Sequence, residues 1–153
     1  MLKLGEGATS LRWALLPLRL VVGFGFFAHG LAKWNRGPEK FAGLLALIGA
    51  PSPAVTAWVV TAIELLGGLA IMLGVLVLLA SIPLLVSMVV AMLTIHMRYG
   101  FSAVNTIGLT PTGPVFGPPG YEVNLLYICA LLALALAGPG ALSIDGWLRS
   151  RRQ

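Results

Sequence analysis

The sequence predicts an all-α integral membrane protein, a four-helix bundle with a short interfacial helix in its first outer loop. Hydrophobic residues make up 58% of the 153 residues and charged residues only 10%. A water-soluble domain carries about 25% charged residues, so this chain lacks the polar surface that such a domain needs. The apolar residues are also gathered into four long segments of near-spanning length. The whole chain, 1–153, is expected to form a single domain.

The four apolar segments predict helices at approximately 11–31, 54–73, 75–97 and 121–137. The first is expected to be a retained helix and not a cleaved signal peptide, because Arg12 and Arg19 interrupt it. The second and third are divided only near Gly74 and must form a tight hairpin. The fourth is close to the lower length limit for a span, and Gly138 ends it.

Two long connections separate these helices. Residues 33–53 include a short apolar run, 41–48, which is too brief to span and is interpreted as an interfacial or re-entrant helix. Residues 98–121 are rich in Gly, Pro and Thr and are expected to be irregular backbone over the helix ends. Near the C-terminus, Ser143 can cap a last amphipathic turn that places Trp147 at the interface.

The basic residues lie mainly at segment ends and in loops. A net charge of +5 would suggest a nucleic-acid partner in a soluble protein. In a membrane protein, basic residues at segment ends instead indicate how the chain is oriented across the membrane. No nucleic-acid partner is therefore expected. An even number of helices puts both termini on one side, which carries Lys3, Arg12, Arg149, Arg151 and Arg152. The termini are therefore expected in the cytoplasm and the long loops outside, in a multi-pass protein of the plasma membrane.

Two charged residues, Arg19 and Glu64, fall inside predicted spans at similar depth. A charge near the bilayer centre costs at least about 2.5 kcal/mol, so a buried ion pair between them is expected. Gly23 and Gly68 stand on the faces that would bring the two helices together. Such a pair is either purely structural or takes part in proton or ligand chemistry, and an unpaired Glu64 is the alternative proton carrier.

A second polar group is placed at the outer helix ends. His29, His96 and Glu122 are the candidate catalytic residues, as proton donors or relays. Imidazole, carboxylate and phenol at the membrane boundary suit a quinone, whose headgroup needs hydrogen-bond donors and, for reduction, a proton source. The candidate ligand-binding residues are Lys33, Arg98, Tyr121 and Tyr127. The structural alternative is that Tyr and Lys anchor the interface and each His caps a helix end.

Metal and haem sites are disfavoured. His29 and His96 could ligate a haem together, but no other haem signal accompanies them. A zinc or iron site would need further ligands from Glu122 or Glu64, and their spacing does not demand that arrangement. Cys129 is the single cysteine, which excludes an internal disulfide and dithiol redox chemistry within the chain. A quinone is the cofactor that the polar residues suit.

Several short motifs occur in a recognisable order. They are HGLAK (29–33), ELLGG (64–68), GYE (120–122) and GPG (138–140). With these motifs, nearly the whole chain resembles the DoxX family of small four-helix membrane proteins. The resemblance implies kinship with the membrane subunit of thiosulfate:quinone oxidoreductase and with proteins of membrane-associated oxidoreductase complexes.

The residues and the resemblance together favour a membrane subunit of a redox system that binds quinone or a small sulfur compound near the outer face. Lys33 would attract an anion such as thiosulfate. Because the chain carries no dinucleotide motif or cysteine pair, electrons would come from a soluble or membrane redox partner. Two alternatives stay open: a non-catalytic anchor or scaffold for a soluble oxidoreductase, and a small-solute transporter that would act as a homo-oligomer. Whether the chain is itself an enzyme is also open.

Overall fold

The computed structural model describes residues 4–151, with side chains from residue 10 onward. Lys3 and Arg152, which contributed to the orientation argument, lie outside the described residues. The helices are α1 (Leu4–Arg36), α2 (Pro38–Leu47), α3 (Pro53–Leu73), α4 (Val77–Ala91), α5 (Glu122–Ala137) and α6 (Ile144–Ser150). A π-helical turn (Met92–His96) and a 3₁₀ turn (Met97–Tyr99) extend α4.

Three helical stretches in the described part of the chain are long and apolar enough to cross a membrane. They are Ser10–Arg36, Pro53–Leu73 and Val77–Tyr99. The shorter apolar helix α5 occupies nearly the range predicted for the fourth span. The prediction of a mainly helical chain with several possible membrane spans is therefore confirmed, and α2 forms close to the short apolar run that was expected to be helical.

α1 is longer than its predicted range of 11–31. It continues to Arg36 and stops at Gly37, whose φ of 88° lies outside the helical region. Lys33 and Arg36 in its last turn interact favourably with the partial negative charge at the helix C-terminus. Hydropathy marks only the part of a helix that faces lipid, so the polar ends were not included in the prediction.

The turn between α3 and α4 is as tight as predicted. Gly74 ends α3 with a φ of 67°, and the Asp145 carboxylate caps the next helix from α6. Its oxygens accept hydrogen bonds from the backbone N–H of Leu76 at 3.0 Å and of Val77 at 3.3 Å. The predicted cap of α6 also forms, since Ser143 Oγ accepts from the backbone N–H of Gly146 at 3.1 Å.

The expectation of irregular backbone throughout 98–121 needs correction, and with it the strictly all-α class. Two antiparallel strands form here, β1 (Thr106–Thr110) and β2 (Gly113–Phe116), with Thr106 opposite Phe116 and Thr110 opposite Gly113. Thr, Ile, Val and Phe favour strands, and Gly113 adopts the positive φ of 129° that the tight reversal requires. Pairing also satisfies backbone groups that an irregular loop would leave to water.

α1 and α3 pack in backbone contact. A Cβ atom placed on Gly30 would lie 2.7 Å from the Leu65 backbone nitrogen, and one on Gly68 would lie 2.5 Å from that of Phe27. Only glycine allows such an approach, and the contacts set the antiparallel register of the two helices. The buried core lies beside this interface and includes Phe26, Ile71, Leu84, Leu131 and Leu134.

The early part of α1, the α3–α4 turn and the segment before α6 meet at one end of the bundle. The backbone N–H of Ala141 donates to the Arg12 carbonyl at 2.8 Å, and that of Asp145 donates to the Gly74 carbonyl at 3.0 Å. We call this the terminal end. The opposite end, which carries α2 and the β1–β2 hairpin, is called the hairpin end. Arg12 of α1, Gly74 and the segment before α6 therefore lie at the same end of the structure.

Candidate functional site

A mainly apolar cavity of about 1160 Å³ opens at the hairpin end. Residues of α1, α2, α3, α4 and α5 line it, so every long helix contributes to its wall. This volume is slightly above the range of about 300–1,000 Å³ that is usual for small-molecule sites, which are typically apolar with a few polar groups that orient the ligand. The polar lining residues include His29, Lys33, Glu64, His96, Asn124 and Tyr127.

The last turns of α1 supply two of these side chains. His29 and Lys33 are four residues apart and therefore lie on the same face of the helix. The chain reverses at Gly37, so that α2 covers this face. Within α2, the Phe41 ring centre lies 4.6 Å from Lys33 Nζ, a cation–π contact that holds the ammonium group at the cavity wall.

Glu64 is the most deeply buried acid at the cavity, with 6% of its surface exposed. Lys33 Nζ donates to its Oε1 oxygen in a salt bridge between α1 and α3. The other oxygen, Oε2, is buried and has no hydrogen-bond partner. An unsatisfied buried acceptor is costly, so the Lys33 ammonium compensates the burial of this carboxylate only in part.

The expected ion pair between Arg19 and Glu64 does not form. Arg19 donates instead to the backbone carbonyls of Pro139 and, at 2.9 Å, of Leu142. The glycine contacts between α1 and α3 place Arg19 beside Gly74, which is about ten residues from Glu64 or about 15 Å along α3. The similar depths of Arg19 and Glu64 in their own segments did not predict how α1 and α3 align. That alignment depends on which parts of the two backbones can pack against each other.

Arg19 therefore belongs to the terminal end and not to the cavity. Its side chain is 1% exposed, and a Cβ atom on Gly74 would lie 2.5 Å from its Nη1 atom. The carbonyls that it binds belong to a bend in which Gly138 and Gly140 have positive φ values of 86° and 72°. The GPG motif thus supplies the Pro139 carbonyl, and Leu142 supplies the second, to hydrogen-bond a buried guanidinium.

His96 enters the cavity from the π-helical turn that follows α4. Its Nδ1 atom donates to the Pro119 carbonyl at 3.0 Å, which ties the end of α4 to the loop before α5. In the neutral ring this tautomer leaves Nε2 as a hydrogen-bond acceptor. Single π-helical turns within longer helices occur frequently at functional sites, where they redirect a side chain.

The structure brings four of the seven candidate catalytic and ligand-binding residues together at the cavity. They are His29, Lys33, His96 and Tyr127. The Tyr127 ring meets the buried Phe26 ring edge-on at 5.2 Å, which fixes its position on α5. Because the site groups come from helices separated by long stretches of sequence, their convergence depends on the packing of the whole bundle.

Three predicted site residues, Glu122, Arg98 and Tyr121, are not among the described residues that line the cavity. Glu122 accepts a hydrogen bond from the backbone N–H of Ala103 at 2.8 Å. The guanidinium of Arg98 stacks on the neighbouring Tyr99 ring at 4.8 Å. The Tyr121 ring contacts the Phe101 ring edge-on at 5.5 Å. The contacts of Glu122 and Tyr121 hold the loop between α4 and α5 in place.

Two other residues of the cavity, Asn124 and Phe41, were not among the predicted site residues. Asn124 is 5% exposed, and its Nδ2 atom donates to Met88 Sδ at 3.0 Å. It stands three residues before Tyr127, so helical spacing already placed both on one face. Phe41 had no comparable signal, because its contact with Lys33 depends on how α2 folds back. No three His, Cys, Asp or Glu side chains among residues 4–151 are grouped as a metal site.

The family model of DoxX matches residues 14–97. The chain belongs to the DoxX family. The match runs from residue 14, within α1, past the end of the π-helical turn and includes Lys33, Glu64 and both histidines of the cavity. Asn124 and Tyr127, on α5, lie beyond the matched range. The DoxX resemblance drawn from the motifs is therefore confirmed.

Three relatives of this DoxX-family chain have similar lengths. An uncharacterised Haemophilus influenzae protein is 31% identical, with 86% of this chain and 81% of the relative covered. An uncharacterised membrane protein of Mycobacterium tuberculosis is 28% identical, with coverage of 90% and 83%. A Bacillus subtilis protein named "putative oxidoreductase CatD" is 28% identical, with coverage of 85% and 83%. No solved structure matches the chain.

Proposed function

We propose that this DoxX-family protein is a membrane subunit of a redox system and that its hairpin-end cavity binds a quinone headgroup. The carrying observation is a mainly apolar cavity of about 1160 Å³ whose wall also carries the possible hydrogen-bond donors His29, His96 and Tyr127. A quinone headgroup is an apolar ring with two polar atoms, which suits apolar walls with a few polar groups. The name of the Bacillus subtilis relative supports a redox role.

The proposed role of each residue follows from where it lies relative to the cavity. His29 and His96 exchange protons with the ligand, since imidazole can act as acid and base near neutral pH. The Lys33–Glu64 pair and Tyr127 orient the headgroup. Glu122 acts indirectly by holding the loop that carries Pro119, the partner of His96. A quinone supplies transfer of two electrons with two protons, and a separate protein partner is the other member of the electron-transfer pair.

The cavity also offers a route to the alternative ligand, a small sulfur compound. Arg36 and Lys40 line it together with Lys33, whereas Glu64 is the acid in the lining. This excess of positive charge favours the approach of an anion such as thiosulfate. Arg98, which lies outside the lining, adds to the positive charge near the same end.

We propose that α5 is a fourth span, that α2 lies in the interface, and that the hairpin end faces outward from the plasma membrane with the termini cytoplasmic. Trp13 and Trp34 are both exposed on α1 and stand 21 residues apart, or about 31 Å. This distance matches the roughly 30 Å hydrocarbon thickness between two aromatic belts. Arg149 and Arg151 of the terminal end support its cytoplasmic position.

Quinone copurification tests the proposed function. The protein purified in mild detergent should carry close to one extractable quinone per chain, measured by mass spectrometry. Ala91→Trp places a large side chain in the cavity wall and should remove most of this quinone. Ala133→Trp, on the exposed face of α5, is the matched control and should retain it. Equal quinone content in the two folded variants would contradict binding in this cavity.

A second candidate function, anchoring a soluble redox partner, is favoured by the β1–β2 hairpin. Its exposed apolar side chains include Leu109 at 83%, Ile107 at 65% and Phe116 at 58%. Exposed apolar groups of this kind mark contact surfaces with protein or lipid. The double change Ile107→Ser with Leu109→Ser should release a soluble oxidoreductase from membranes without altering the bound quinone. Retention of that enzyme by the variant would argue against anchoring through the hairpin.

A further inference from the structure

We infer that the ligand of the hairpin-end cavity enters from within the bilayer and carries a long apolar chain, which lies in a cleft between α3 and α4. The inference rests on the proposed function and deepens it, because it specifies how the quinone is held beyond its headgroup. A quinone with a long apolar chain fits this cleft, whereas a small sulfur anion has no group that would occupy it.

The cleft begins where the close packing of α3 on α4 ends. Toward the terminal end, the tight turn at Gly74 joins the two helices, and a Cβ atom on Gly67 would lie 3.2 Å from the fully buried Leu84 side chain. Nearer the hairpin end, side chains of both helices line the cavity. They are Thr56, Val60 and Ile63 of α3 and Val86, Val90 and Thr94 of α4. We call the space between them the α3–α4 cleft.

The cleft lies at the depth of the lipid chains. Its walls belong to Pro53–Leu73 and Val77–Tyr99, both long and apolar enough to cross a membrane. Val86 is nine residues from the start of α4, or about 14 Å along the helix, which is close to the middle of a hydrocarbon core of roughly 30 Å. Apolar cavities do not hold water. A hydrocarbon chain is therefore the occupant that suits the cleft.

The bilayer side of the cleft is open. Val86 and Val90 line the cavity and are nevertheless 59% and 48% exposed. α1 and α5 close the cavity from the bundle core, through Phe26 and Tyr127. α2, proposed to lie in the interface, covers the hairpin end, and the described residues of the β1–β2 hairpin and α6 supply none of the lining. A chain can therefore pass from the bilayer between α3 and α4.

The hydroxyl groups of the cleft do not require a polar ligand. Thr56 Oγ1 donates to the Pro51 carbonyl at 2.6 Å, and Thr94 Oγ1 donates to the Val90 carbonyl at 2.7 Å. Ser87 also lines the cavity, and it stands inside α4, where a serine can donate to the carbonyl four residues before it. These groups are compatible with an apolar chain beside them.

The headgroup position is set by charged and ring side chains. Lys33 and Arg36 in the last turn of α1, Lys40 in α2 and His96 after α4 line the cavity at its hairpin end. The deeper His29 and Glu64 come from the α1 and α3 walls, and Glu64 is paired with Lys33. A headgroup among these residues would direct its chain into the α3–α4 cleft, since the two spaces belong to one cavity.

A photoreactive ligand tests the position of the chain. The probe is decylubiquinone with a diazirine at the end of its chain, added to the full-length protein in nanodiscs. Irradiation should attach it mainly to α3 between residues 56 and 67 and to α4 between residues 83 and 94, as mass spectrometry of peptides would locate it. An excess of unlabelled decylubiquinone should remove most of this labelling, because it competes for the same cleft.

Variants of the cleft test its role in affinity. Val86→Trp should weaken the binding of decylubiquinone about tenfold, because the ring takes the space of the chain. It should leave the binding of the same quinone without its chain unchanged. Val60→Trp fills the cleft from α3 and should act alike. Val89→Trp, at an exposed position of α4 outside the lining, is the matched control and should bind as the wild type.

Binding is measured by calorimetry in nanodiscs of one composition, so that partition of the ligand into lipid is the same for every variant. Thermal unfolding shows that each variant is folded before its binding is compared. A wild-type chain that binds only the quinone with a chain also supports the inference.

The outcomes separate the two proposals. Failure of the folded wild-type chain to bind either quinone overturns the proposed function itself. Three results leave that function standing and overturn the α3–α4 cleft as the place of the chain. They are labelling confined to the β1–β2 hairpin or to lipid-facing residues, equal losses for both quinones in Val86→Trp, and unchanged decylubiquinone binding in both cleft variants.

Discussion

Single residues show two different ways in which this bundle accommodates a buried charge. Glu64 is neutralised by the Lys33 ammonium across the α1–α3 interface. Arg19 has no acidic partner among the contacts described for it and is solvated by the Pro139 and Leu142 carbonyls. The first arrangement joins α1 to α3 at the cavity, whereas the second joins α1 to the bend before α6. The two charges therefore have separate roles.

A double-mutant cycle tests the reassigned pair. Lys33→Met and Glu64→Leu should be non-additive in the free energy of unfolding, with a coupling of about 0.5–3 kcal/mol, because either change alone leaves an unpaired charge. Denaturation in detergent measures the four proteins. The companion cycle of Arg19→Leu with Glu64→Leu should be additive, since the two side chains share no partner. Strong coupling in the second cycle would restore the pair that sequence depth predicted.

The α1–α3 interface is the element on which the register of the bundle depends. Gly68→Ala would place a methyl group 2.5 Å from the Phe27 backbone nitrogen, where neither helix can yield without separating. We expect a loss of about 1–3 kcal/mol of stability from this overpacking, measured by thermal unfolding in detergent. Movement of Lys33 away from Glu64 should also weaken ligand binding.

Gly43→Ala is the matched control for this change. Gly43 lies within α2, and a Cβ atom there would meet no atom within 4 Å. Alanine costs less conformational entropy than glycine in a helix, so this variant should be neutral or up to about 1 kcal/mol more stable. Similar destabilisation by both alanine substitutions would show that helix contact at Gly68 is not the cause.

α4 depends on a cap that comes from another element. Asp145→Ala removes both acceptors for the backbone N–H groups of Leu76 and Val77 and should cost about 0.5–2 kcal/mol. Asp145→Asn retains one acceptor and should cost less. Amide hydrogen exchange gives a local readout, since the first turn of α4 should exchange faster in the alanine variant. Unchanged protection of that turn would argue against the cap.

At the scale of the whole molecule, the proposed orientation can be tested with single cysteines. On a Cys129→Ala background, Gly108→Cys in the β1–β2 hairpin should react with a membrane-impermeant maleimide on intact cells. Ser150→Cys in α6 should react only after the membrane is opened, because the terminal end is placed in the cytoplasm. The reverse labelling pattern would invert the orientation and place the cavity at the cytoplasmic face.

Helices were the most predictable part of this fold. α3 and α5 lie within one residue of the ranges 54–73 and 121–137 expected from hydropathy. Their bounds follow from local composition, since a span needs a continuous apolar run and ends at Gly or Pro. The β1–β2 hairpin was missed because its strands are short and stand in a segment dominated by turn-forming residues.

The sequence predicted which residues belong to the candidate site better than it predicted the contacts that they make. His29, Lys33, His96 and Tyr127 were identified because polar residues near helix ends are few in so apolar a chain, and the structure gathers them at one cavity. Glu122 was assigned to the site on the same grounds, but its carboxylate turns to the Ala103 backbone. Position along a helix does not determine which way a side chain faces at a loop.

The amino-acid sequence by itself determined the membrane environment, the helix ranges and the depth of the polar groups, because these depend on local hydropathy and residue type. Only the tertiary structure decided which charges meet. Backbone contact at Gly30 and Gly68 fixes the register of α1 against α3. In this register Lys33 lies beside Glu64, and Arg19 lies beside the C-terminal bend. Register is set by the fit of two surfaces, and no single segment contains the information for that fit.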